Sequence, residues 1–229
     1  MLRKRGMRHA PARPGLGDRQ AADGSTRQHS PHVLKQSEPV RKIAVGISEH
    51  RRDGAPNLRV IPFGGVEEVG ENMTVFEYGD DIIIIDMGLA FPDETMPGID
   101  YVIPDTKYLQ EKKRNIRGVV VTHGHLDHIG AIPYILPKLG DPPIYTMPLT
   151  AALIEKRLEE FHLQGRSQIH KVTKDDVLTL GAFAIRFFRL NHNIPDSMGL
   201  SIKTPGAHVV YATDWKFDHT PVDQKPAEF

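Results

Sequence analysis

Three histidines and one aspartate stand within six consecutive positions of the segment VVVTHGHLDHIGA. They are His123, His125, Asp127 and His128, and they directly follow an apolar run that predicts a buried strand. His123 and His125 are two residues apart, so on a strand end their side chains project to the same side. Asp127 and His128 follow where the chain turns, which lets them face the same pocket from a second direction.

Imidazole and carboxylate groups at this density are typical of a metal site. Zinc binds both kinds of donor, and a catalytic site leaves one coordination position open for water. Four donors crowded into one turn predict a pair of metal ions, and Mn²⁺ can replace Zn²⁺ on such ligands. The alternative is a surface loop that is rich in histidine, but the buried strand before it and the helix after it favour the metal site.

His192 and Asp214, much further along the chain, also stand at the ends of predicted strands. Each follows the apolar part of a predicted strand, in FFRLNHNIPDSMG and VVYATDWKFDHTP. A hydrogen-bonding role is the alternative for either residue, but beside the first cluster we expect both to bind metal. Asp86, which closes the run IIIID, is expected to orient one of the histidines. Four other histidines are predicted to be ordinary surface or core residues: His162, His170, His208 and His219.

Strands and helices alternate in the part of the chain that must position these side chains. The run at 82–85 is too apolar for a half-exposed strand and predicts one that is covered on both faces. Residues 105–115 predict a short helix capped by Asp105, and the apolar spacing after the cluster predicts a helix that ends at Gly140. An amphipathic helix begins near Pro148. Short strands follow, so we expect a sandwich of sheets with outer helices.

The first quarter of the chain differs in composition from the rest. Residues 1–57 hold 12 basic and five acidic side chains, a balance of +7, whereas residues 58–229 hold 17 and 24, a balance of −7. The first segment is rich in Arg, Gly, Pro and Ser and cannot bury enough apolar surface to offset its ordering entropy, so we predict a disordered basic tail. An RNA-binding arm, an organelle transit peptide or a solvated extension would fit it.

The composition also excludes several classes of protein. There is no cysteine, so disulfides and thiolate metal ligands are ruled out, and a reducing compartment fits. No apolar run approaches the roughly 18 residues needed to cross a bilayer, and no secretory signal is visible. We therefore expect a soluble intracellular protein without membrane contact, or an organelle protein if the basic N-terminus is a transit peptide.

The segment THGHLDH resembles the signature of the metallo-β-lactamase superfamily, whose fold is an αββα sandwich with a dinuclear zinc site. Four longer segments resemble ribonuclease J within that superfamily, an RNA-processing enzyme of the β-CASP group in bacteria and plastids. They are PFGGVEEVGENM, IIIIDMGLAFPDETMPGIDYVIPDTKYL, NHNIPDSMG and ATDWKFDHTPVD. The resemblance runs from about residue 58 to the C-terminus. The short motif indicates only the superfamily, and the longer segments indicate the subfamily.

The resemblance implies a role for each candidate residue. It divides the ligands between two zinc ions, with one residue as a bridge: His123, His125 and His192 for the first ion, Asp127 and His128 for the second, and Asp214 for both. The family hydrolyses RNA phosphodiesters with a zinc-bound hydroxide, as a 5′-to-3′ exonuclease and as an endonuclease, in rRNA processing and mRNA decay. Asp127 and Asp214 would be catalytic, with Asp127 orienting or deprotonating the attacking water and Asp86 as the supporting aspartate. Leu126 stands where close relatives often have an acidic residue, and it should point outward.

The resemblance also implies that parts of such an enzyme lie beyond this sequence. A β-CASP insertion, the second half of the sandwich and a C-terminal domain would follow, so residues 58–229 are predicted to be an N-terminal metallo-β-lactamase portion of α+β class. It would hold the first half of an incomplete αββα sandwich and the start of the second sheet. Half of the sandwich core would then lie open to water. Such exposure favours a homo-oligomer or a full-length paralogue as partner, besides RNA.

Two other functions stay open at this point. A stand-alone metallo-hydrolase that acts on a small thioester or lactone would carry the same short motif, although the longer segments favour a ribonuclease. The second alternative is a non-catalytic module that binds RNA through its basic tail or pairs with a paralogue. Cleavage of a small substrate would identify the first alternative, and loss of RNA affinity on removal of residues 1–57 would identify the second.

Overall fold

The computed structural model describes residue 54 and residues 56–228, and this part of the chain contains a six-stranded sheet, a four-stranded sheet and a layer of helices. In the first sheet the strands follow one another in chain order. These strands are β1 Leu58–Gly64, β2 Met73–Tyr78, β3 Asp81–Ile85, β4 Ile116–Val120, β5 Ile144–Thr146 and β6 Ile169–Lys171.

The second sheet is antiparallel, with the strand order β10-β9-β8-β7. Its strands are β7 Val177–Leu180, β8 Phe183–Arg189, β9 Met198–Lys203 and β10 His208–Tyr211. The helices are α1 Lys107–Glu111, α2 Leu126–Ile129, α3 Ile132–Ile135 and α4 Pro148–Glu160, with 3-10 turns at Lys113–Asn115 and Leu136–Leu139.

Strand β3 lies between the two apolar cores and explains the layering. It pairs with β2 in antiparallel and with β4 in parallel orientation. All four of its isoleucines are fully buried. Ile82 and Ile84 pack in the core that includes the helices, whereas Ile83 and Ile85 pack against the second sheet. Full burial of one such side chain stabilises the fold by about 1.5–3 kcal/mol. The prediction of a strand that is covered on both faces is confirmed.

The core between the two sheets is closed by side chains from both of them. Phe183, Ile185 and Leu200 of the second sheet are buried against Phe76 of β2. The expectation that half of the sandwich core lies open to water is therefore wrong for the described residues, because the four strands of the second sheet already cover the first. The three layers of helices, sheet and sheet confirm the α+β class and a partial αββα sandwich.

The helix predicted at 105–115 is shorter than expected, and Asp105 is not its N-cap. Helix α1 begins after Thr106 and ends at Glu111, where a separate 3-10 turn takes over. The Asp105 carboxylate instead accepts a hydrogen bond of 3.0 Å from the backbone N–H of Lys107, which forms a local turn before the helix.

The helical segment after the histidine cluster ends where it was predicted to end. It consists of α2, α3 and a 3-10 turn, and Gly140 follows it with a φ angle of 82°, the left-handed conformation common after helices. Pro133 lies in the first turn of α3, where the missing N–H costs no hydrogen bond within the helix. Helix α4 begins at Pro148, as the sequence predicts. These pieces form the outer layer that covers β4 and β5.

No helix within residues 56–228 combines the length and the apolar character that a membrane crossing requires. The predicted basic tail at 1–57 lies outside the described residues except for positions 54, 56 and 57. Its disorder and its possible functions stay predictions.

Candidate metal centre

The candidate site residues meet at one end of the two sheets. Asp86 and His123 follow the neighbouring parallel strands β3 and β4, and His192 and Asp214 follow β8 and β10. At this end a backbone hydrogen bond of 3.2 Å, donated by Met198 at the start of β9, joins the second sheet to the segment before His123. The stacking of the sheets thus brings four separate strand ends to one place.

The first donor group consists of three histidines and one aspartate. His125 Nδ1 lies 3.0 Å from His123 Nε2 and 3.2 Å from His192 Nε2. His192 Nε2 lies 3.6 Å from Asp214 Oδ2. Donors of a tetrahedral zinc site, each at 2.0–2.1 Å from the ion, are about 3.3 Å apart. The spacing of this group therefore suits a single ion of zinc-like size.

The second donor group shares Asp214 with the first. His128 Nε2 lies 3.5 Å from Asp127 Oδ2 and 3.7 Å from Asp214 Oδ2. The donor atoms in each group lie within 4.8 Å of one another. The structure thus brings together all six residues that were predicted as ligands, in the two sets that the resemblance implies. Their binding of metal stays a prediction.

The hydrogen bonding of the His128 ring indicates whether a metal ion fits the second donor group. The residue is fully buried, and its Nε2 atom has no hydrogen-bond partner. Its other ring nitrogen, Nδ1, lies 2.9 Å from Asp86 Oδ2. A buried polar atom left without a partner destabilises a protein by about 1–3 kcal/mol. A divalent cation between His128 Nε2 and the two carboxylates would satisfy that atom, so the residues present fit a metal ion.

Asp86 supports the centre from behind. Its buried carboxylate accepts hydrogen bonds of 2.8 Å from the backbone N–H and from the hydroxyl of Thr122, in addition to its contact with His128. The hydroxyl of Thr122 also lies 3.1 Å from His123 Nδ1. Two predicted ligand histidines therefore have their Nδ1 atoms held from the core side, which leaves both Nε2 atoms facing the donor groups. This geometry is what the predicted supporting role of Asp86 requires.

Asn72 belongs to the site and was not singled out from the sequence. Its side-chain amide donates a hydrogen bond of 3.1 Å to Asp127 Oδ2, and its backbone N–H donates one of 3.1 Å to the carbonyl of Asp127. It stands just before β2, which runs antiparallel to β3, so its position at the same sheet edge as Asp86 was available from the predicted hairpin.

Gly88 is the second residue that sequence reasoning missed. A Cβ atom at this position would lie 1.6 Å from the carbonyl oxygen of Asp127, so no side chain can be accommodated. The backbone around it pairs with the ligand segment, since the N–H of Met87 donates to the carbonyl of His128 at 2.8 Å. This close approach fixes the turn that carries Asp127 and His128. A glycine directly after the Asp86 strand end was the available signal.

The electrostatics of the two donor groups favour a positive charge between the carboxylates. Burial by itself lowers the pKa of His128, but the negative charges of Asp86, Asp127 and Asp214 outweigh burial and raise it to about 11. The contact with His128 in turn lowers the pKa of Asp214 to about 2. Burial, together with the positive charge of His128, lowers the pKa of His123 to about 4. The arrangement is one that attracts a cation.

Within the described residues, the other four histidines lie outside both donor groups, as predicted. His208 contacts the hydroxyl of Ser201 at 2.7 Å, and the ring of His170 stacks on Tyr145. His162 and His219 are exposed. Leu126 is 43% exposed, in agreement with the expectation that it points outward.

Residues 90–227 match the family profile described as the β-lactamase superfamily domain, which is more than half of the chain. The chain belongs to this superfamily. The crystal structure of the metallo-β-lactamase fold protein YhfI from Bacillus subtilis aligns with a TM-score of 0.50 and 20% identity, over 71% of this chain and 65% of YhfI. A protein of unknown function from Enterococcus faecalis V583 aligns with a TM-score of 0.55 and 19% identity, over 70% of this chain and 44% of that protein. These two similarities establish the fold alone.

Within the superfamily, the sequence is similar to curated proteins named ribonuclease J. The one from Synechocystis sp. is 44% identical over 179 residues, and the one from Thermus thermophilus is 43% identical over 175 residues. Ribonuclease J2 of Bacillus subtilis is 39% identical over 171 residues. The alignments cover 75%, 74% and 75% of this chain but 28%, 30% and 31% of the relatives. The resemblance found in the sequence is confirmed, and the chain spans about three tenths of the length of these relatives.

Proposed function

We propose that this superfamily member is the metal-binding N-terminal portion of a ribonuclease that hydrolyses RNA phosphodiesters. The observation that carries the proposal is the shared carboxylate of Asp214, at which the two donor groups meet. The Nε2 atom of buried His128 supports it, because this atom makes no hydrogen bond and lies 3.5 and 3.7 Å from the carboxylates of Asp127 and Asp214, a spacing that a cation would fit. Relatives named ribonuclease J, at 39–44% identity, support RNA as the substrate.

The proposed ligands are the six residues of the two donor groups. Two divalent ions in such a site act as Lewis acids on the phosphoryl oxygens and supply a nucleophile at neutral pH. Zn²⁺ is the proposed metal because the first group offers three imidazole nitrogens and one carboxylate, a set that zinc favours. Mn²⁺ is the proposed substitute, since it also accepts such a mixture of ligands.

Asp127 is assigned the role of orienting and deprotonating the attacking water. Its side chain is 32% exposed and therefore reaches the open side of the centre, whereas His128 behind it is fully buried. The contact with the His128 ring lowers the pKa of Asp127, so its carboxylate is ionised at neutral pH and can orient a water molecule by accepting a hydrogen bond from it. Asn72 holds one of its oxygens through the side-chain amide. Asp214, the other predicted catalytic residue, is assigned the role of bridging the two metal positions.

The mode of RNA cleavage, the cellular processes and the location are proposed from the resemblance to the family. They are 5′-to-3′ exonuclease and endonuclease activity, a place in rRNA processing and mRNA decay, and residence in the bacterial cytoplasm. A second copy of the chain or a full-length paralogue is proposed as a partner besides RNA.

Cleavage of a 5′-labelled RNA in the presence of Zn²⁺ or Mn²⁺ tests this function. We expect Asp127→Asn to reduce the rate by about 100-fold or more, since both a metal ligand and a proton acceptor are lost. Asp80→Asn, a change in the exposed turn between β2 and β3, is the matched control and should cleave like the wild type. Removal of the metals with a chelator should abolish cleavage, and their return should restore it.

Equal cleavage by the wild type and by Asp127→Asn would contradict the site assignment. Hydrolysis of a thioester or lactone without cleavage of RNA would favour the small-molecule hydrolase instead. Metal binding without activity on either substrate would mean that this portion of the chain needs the proposed partner for catalysis.

A further inference from the structure

The loop at 190–197 connects β8 to β9 and carries His192. Its base is closed by a hydrogen bond of 3.1 Å from the N–H of Leu190 to the carbonyl of Ser197. The hydroxyl of buried Ser197 donates a further bond of 3.2 Å to the carbonyl of Ile194 inside the loop. These bonds give the loop its shape. They do not explain what holds the loop next to the first donor group, to which His192 belongs.

The answer lies at the amino end of helix α4. The first residue of this helix is Pro148, which has no N–H, and the N-cap residue Met147 makes no side-chain capping bond. The N–H of Leu149, in the first turn, donates a hydrogen bond of 3.0 Å to Asp196 Oδ2, from a residue 47 positions away. Asp196 therefore caps α4 from the His192 loop, and its negative charge is favourable at this end of a helix.

An apolar contact accompanies the capping bond. A Cβ atom placed on Gly124 would lie 2.4 Å from Leu153 Cδ1 of α4 and 3.5 Å from Ile194 Cδ1 of the loop. The loop and the helix thus both pack onto the backbone between His123 and His125. Because Gly124 has no side chain, helix α4 can approach this backbone closely enough for the loop docked on the helix to contact it as well.

Two requirements act on Asp196, the conformation of its backbone and the acceptor oxygen of its side chain. Its φ angle is 63°, in the left-handed region that residues other than glycine rarely adopt and that Asp and Asn tolerate best. Glycine would adopt this conformation without strain but would leave the N–H of Leu149 without its acceptor. Asparagine would keep both the conformation and an acceptor oxygen. The two substitutions therefore separate the backbone requirement from the capping requirement.

We infer that Asp196 is a positioning residue for His192. By docking the 190–197 loop onto α4, it sets the His192 ring against His125 and Asp214, so the first donor group depends on it. In the second donor group, His128 is held by Asp86 and Asp127 by Asn72, so these two residues do not depend on it. The inference rests on the proposed function only where metal binding is measured, because the position of the His192 ring can be observed without metal.

The experiment compares Asp196→Ala, Asp196→Gly and Asp196→Asn with the wild type in two measurements. In the metal-free protein, ¹H–¹⁵N spectra of the histidine rings should show shifted His192 and His125 signals in the Ala and Gly variants but an unchanged His128 signal. In zinc titrations followed by native mass spectrometry, the same variants should bind one of two ions about 10- to 100-fold more weakly. Asp196→Asn should resemble the wild type in both measurements, as should Asp175→Ala, a control at an exposed carboxylate.

Three outcomes would overturn the inference. Unshifted His192 signals in Asp196→Ala would mean that the loop keeps its place without the cap. Equal weakening of both ions, with a lowered melting temperature, would mean that Asp196 acts on the fold as a whole. A normal Gly variant would mean that only the backbone conformation matters. A wild-type chain that binds no zinc would instead contradict the proposed function, while the ring spectra would still decide the role of Asp196.

Discussion

The two halves of the candidate metal centre are held in different ways. The buried half, which consists of Asp86, His123 and His128, follows strands β3 and β4 and is completely excluded from solvent. The loop half consists of His192 and Asp214, which follow strands of the second sheet and have side chains that are 19% and 43% exposed. In the buried half the same hydrogen bonds serve the fold and the site. In the loop half the side chains contact the site and little else.

This difference indicates in which half of the centre the stability of the fold and the affinity for metal are coupled. A substitution in the buried half leaves unpaired groups in the core, so it should weaken the fold and the metal site together. A substitution in the loop half removes a side chain that is itself partly exposed to water, so it should disturb the core less. Metal binding should then be lost without unfolding. The following predictions test that separation, from the largest expected effect to the smallest.

Asp86→Ala should have the largest effect. It removes the acceptor of two buried Thr122 donors and the partner of the buried His128 ring. Loss of one partner from a buried pair destabilises a protein by about 3–5 kcal/mol. Chemical denaturation should show this decrease, and native mass spectrometry should show the loss of both metals. Asp86→Asn, which tolerates the φ angle of 62°, should lose less stability. A fully stable Ala variant would contradict the proposed coupling.

Asp214→Asn should affect metal binding more than the stability of the fold. Asp214 is the member common to both donor groups, so both ions should bind more weakly, by about tenfold or more. The free energy of unfolding of the metal-free chain should fall by about 1 kcal/mol, because the buried ring of His128 loses one of its three carboxylate charges. His192→Ala is the companion variant and should weaken one ion only. If Asp214→Asn weakened a single ion, the assignment of Asp214 as the bridge would be wrong.

Asn72→Ala should have an intermediate effect that is confined to the second donor group. It removes the amide that holds Asp127 Oδ2, so the ion at Asp127 and His128 should bind about 10-fold more weakly. Stability should fall by about 1 kcal/mol. Asn115→Ala is the matched control, because its amide donates a comparable bond of 2.7 Å to the carbonyl of Asp80, far from the site. Equal metal affinities in the two variants would argue against a positioning role for Asn72.

Glu77 provides a contrast at the opposite end of β2, where stability alone should respond. Its carboxylate accepts a bond of 2.6 Å from Lys112, another from the hydroxyl of Tyr108, and pairs with Arg59 at 3.2 Å. Burial by itself raises the pKa of Glu77, but the bonds from Lys112 and Tyr108 outweigh burial, and the pKa is lowered. The ionised carboxylate therefore stabilises the fold at neutral pH, and this contribution is lost as the pH falls through the lowered pKa.

Glu77→Gln should consequently destabilise the chain by about 1–2 kcal/mol at pH 7 and by clearly less near pH 3. Denaturation curves at the two pH values measure this difference. Zinc affinity at pH 7 should equal that of the wild type, because no donor group is touched. A destabilisation that did not depend on pH would show that the packing of Glu77, and not its charge, matters.

Much of the fold was predictable because it depends on local patterns. The apolar run of β3 was expected to be buried on both faces, and the segment after the cluster was expected to end at Gly140. Both predictions are confirmed. The predicted N-cap of α1 was wrong. Asp105 and Thr106 are both suitable polar residues, and local preference does not distinguish between them. The cap of α4 could not be found locally, since Asp196 supplies it from a distant loop.

The candidate site divides in the same way. His123, His125, Asp127 and His128 are close in the sequence, so their spacing was enough to indicate a shared pocket. Asn72 went unnoticed because a single asparagine before a strand has no distinctive spacing. Its importance depends on the antiparallel pairing of β2 with β3, which places it against the turn that carries Asp127.

The sequence by itself determined which donors are available and that each of them follows a strand. Periodicity reports which side chains a strand or helix buries, and it reports nothing about which strand ends meet. Only the tertiary structure decided that His192 comes within 3.2 Å of His125, a residue 67 positions earlier. The physical reason is that this contact depends on the stacking of two sheets and on a loop docked to α4. Both are set by packing between segments that are distant in the chain.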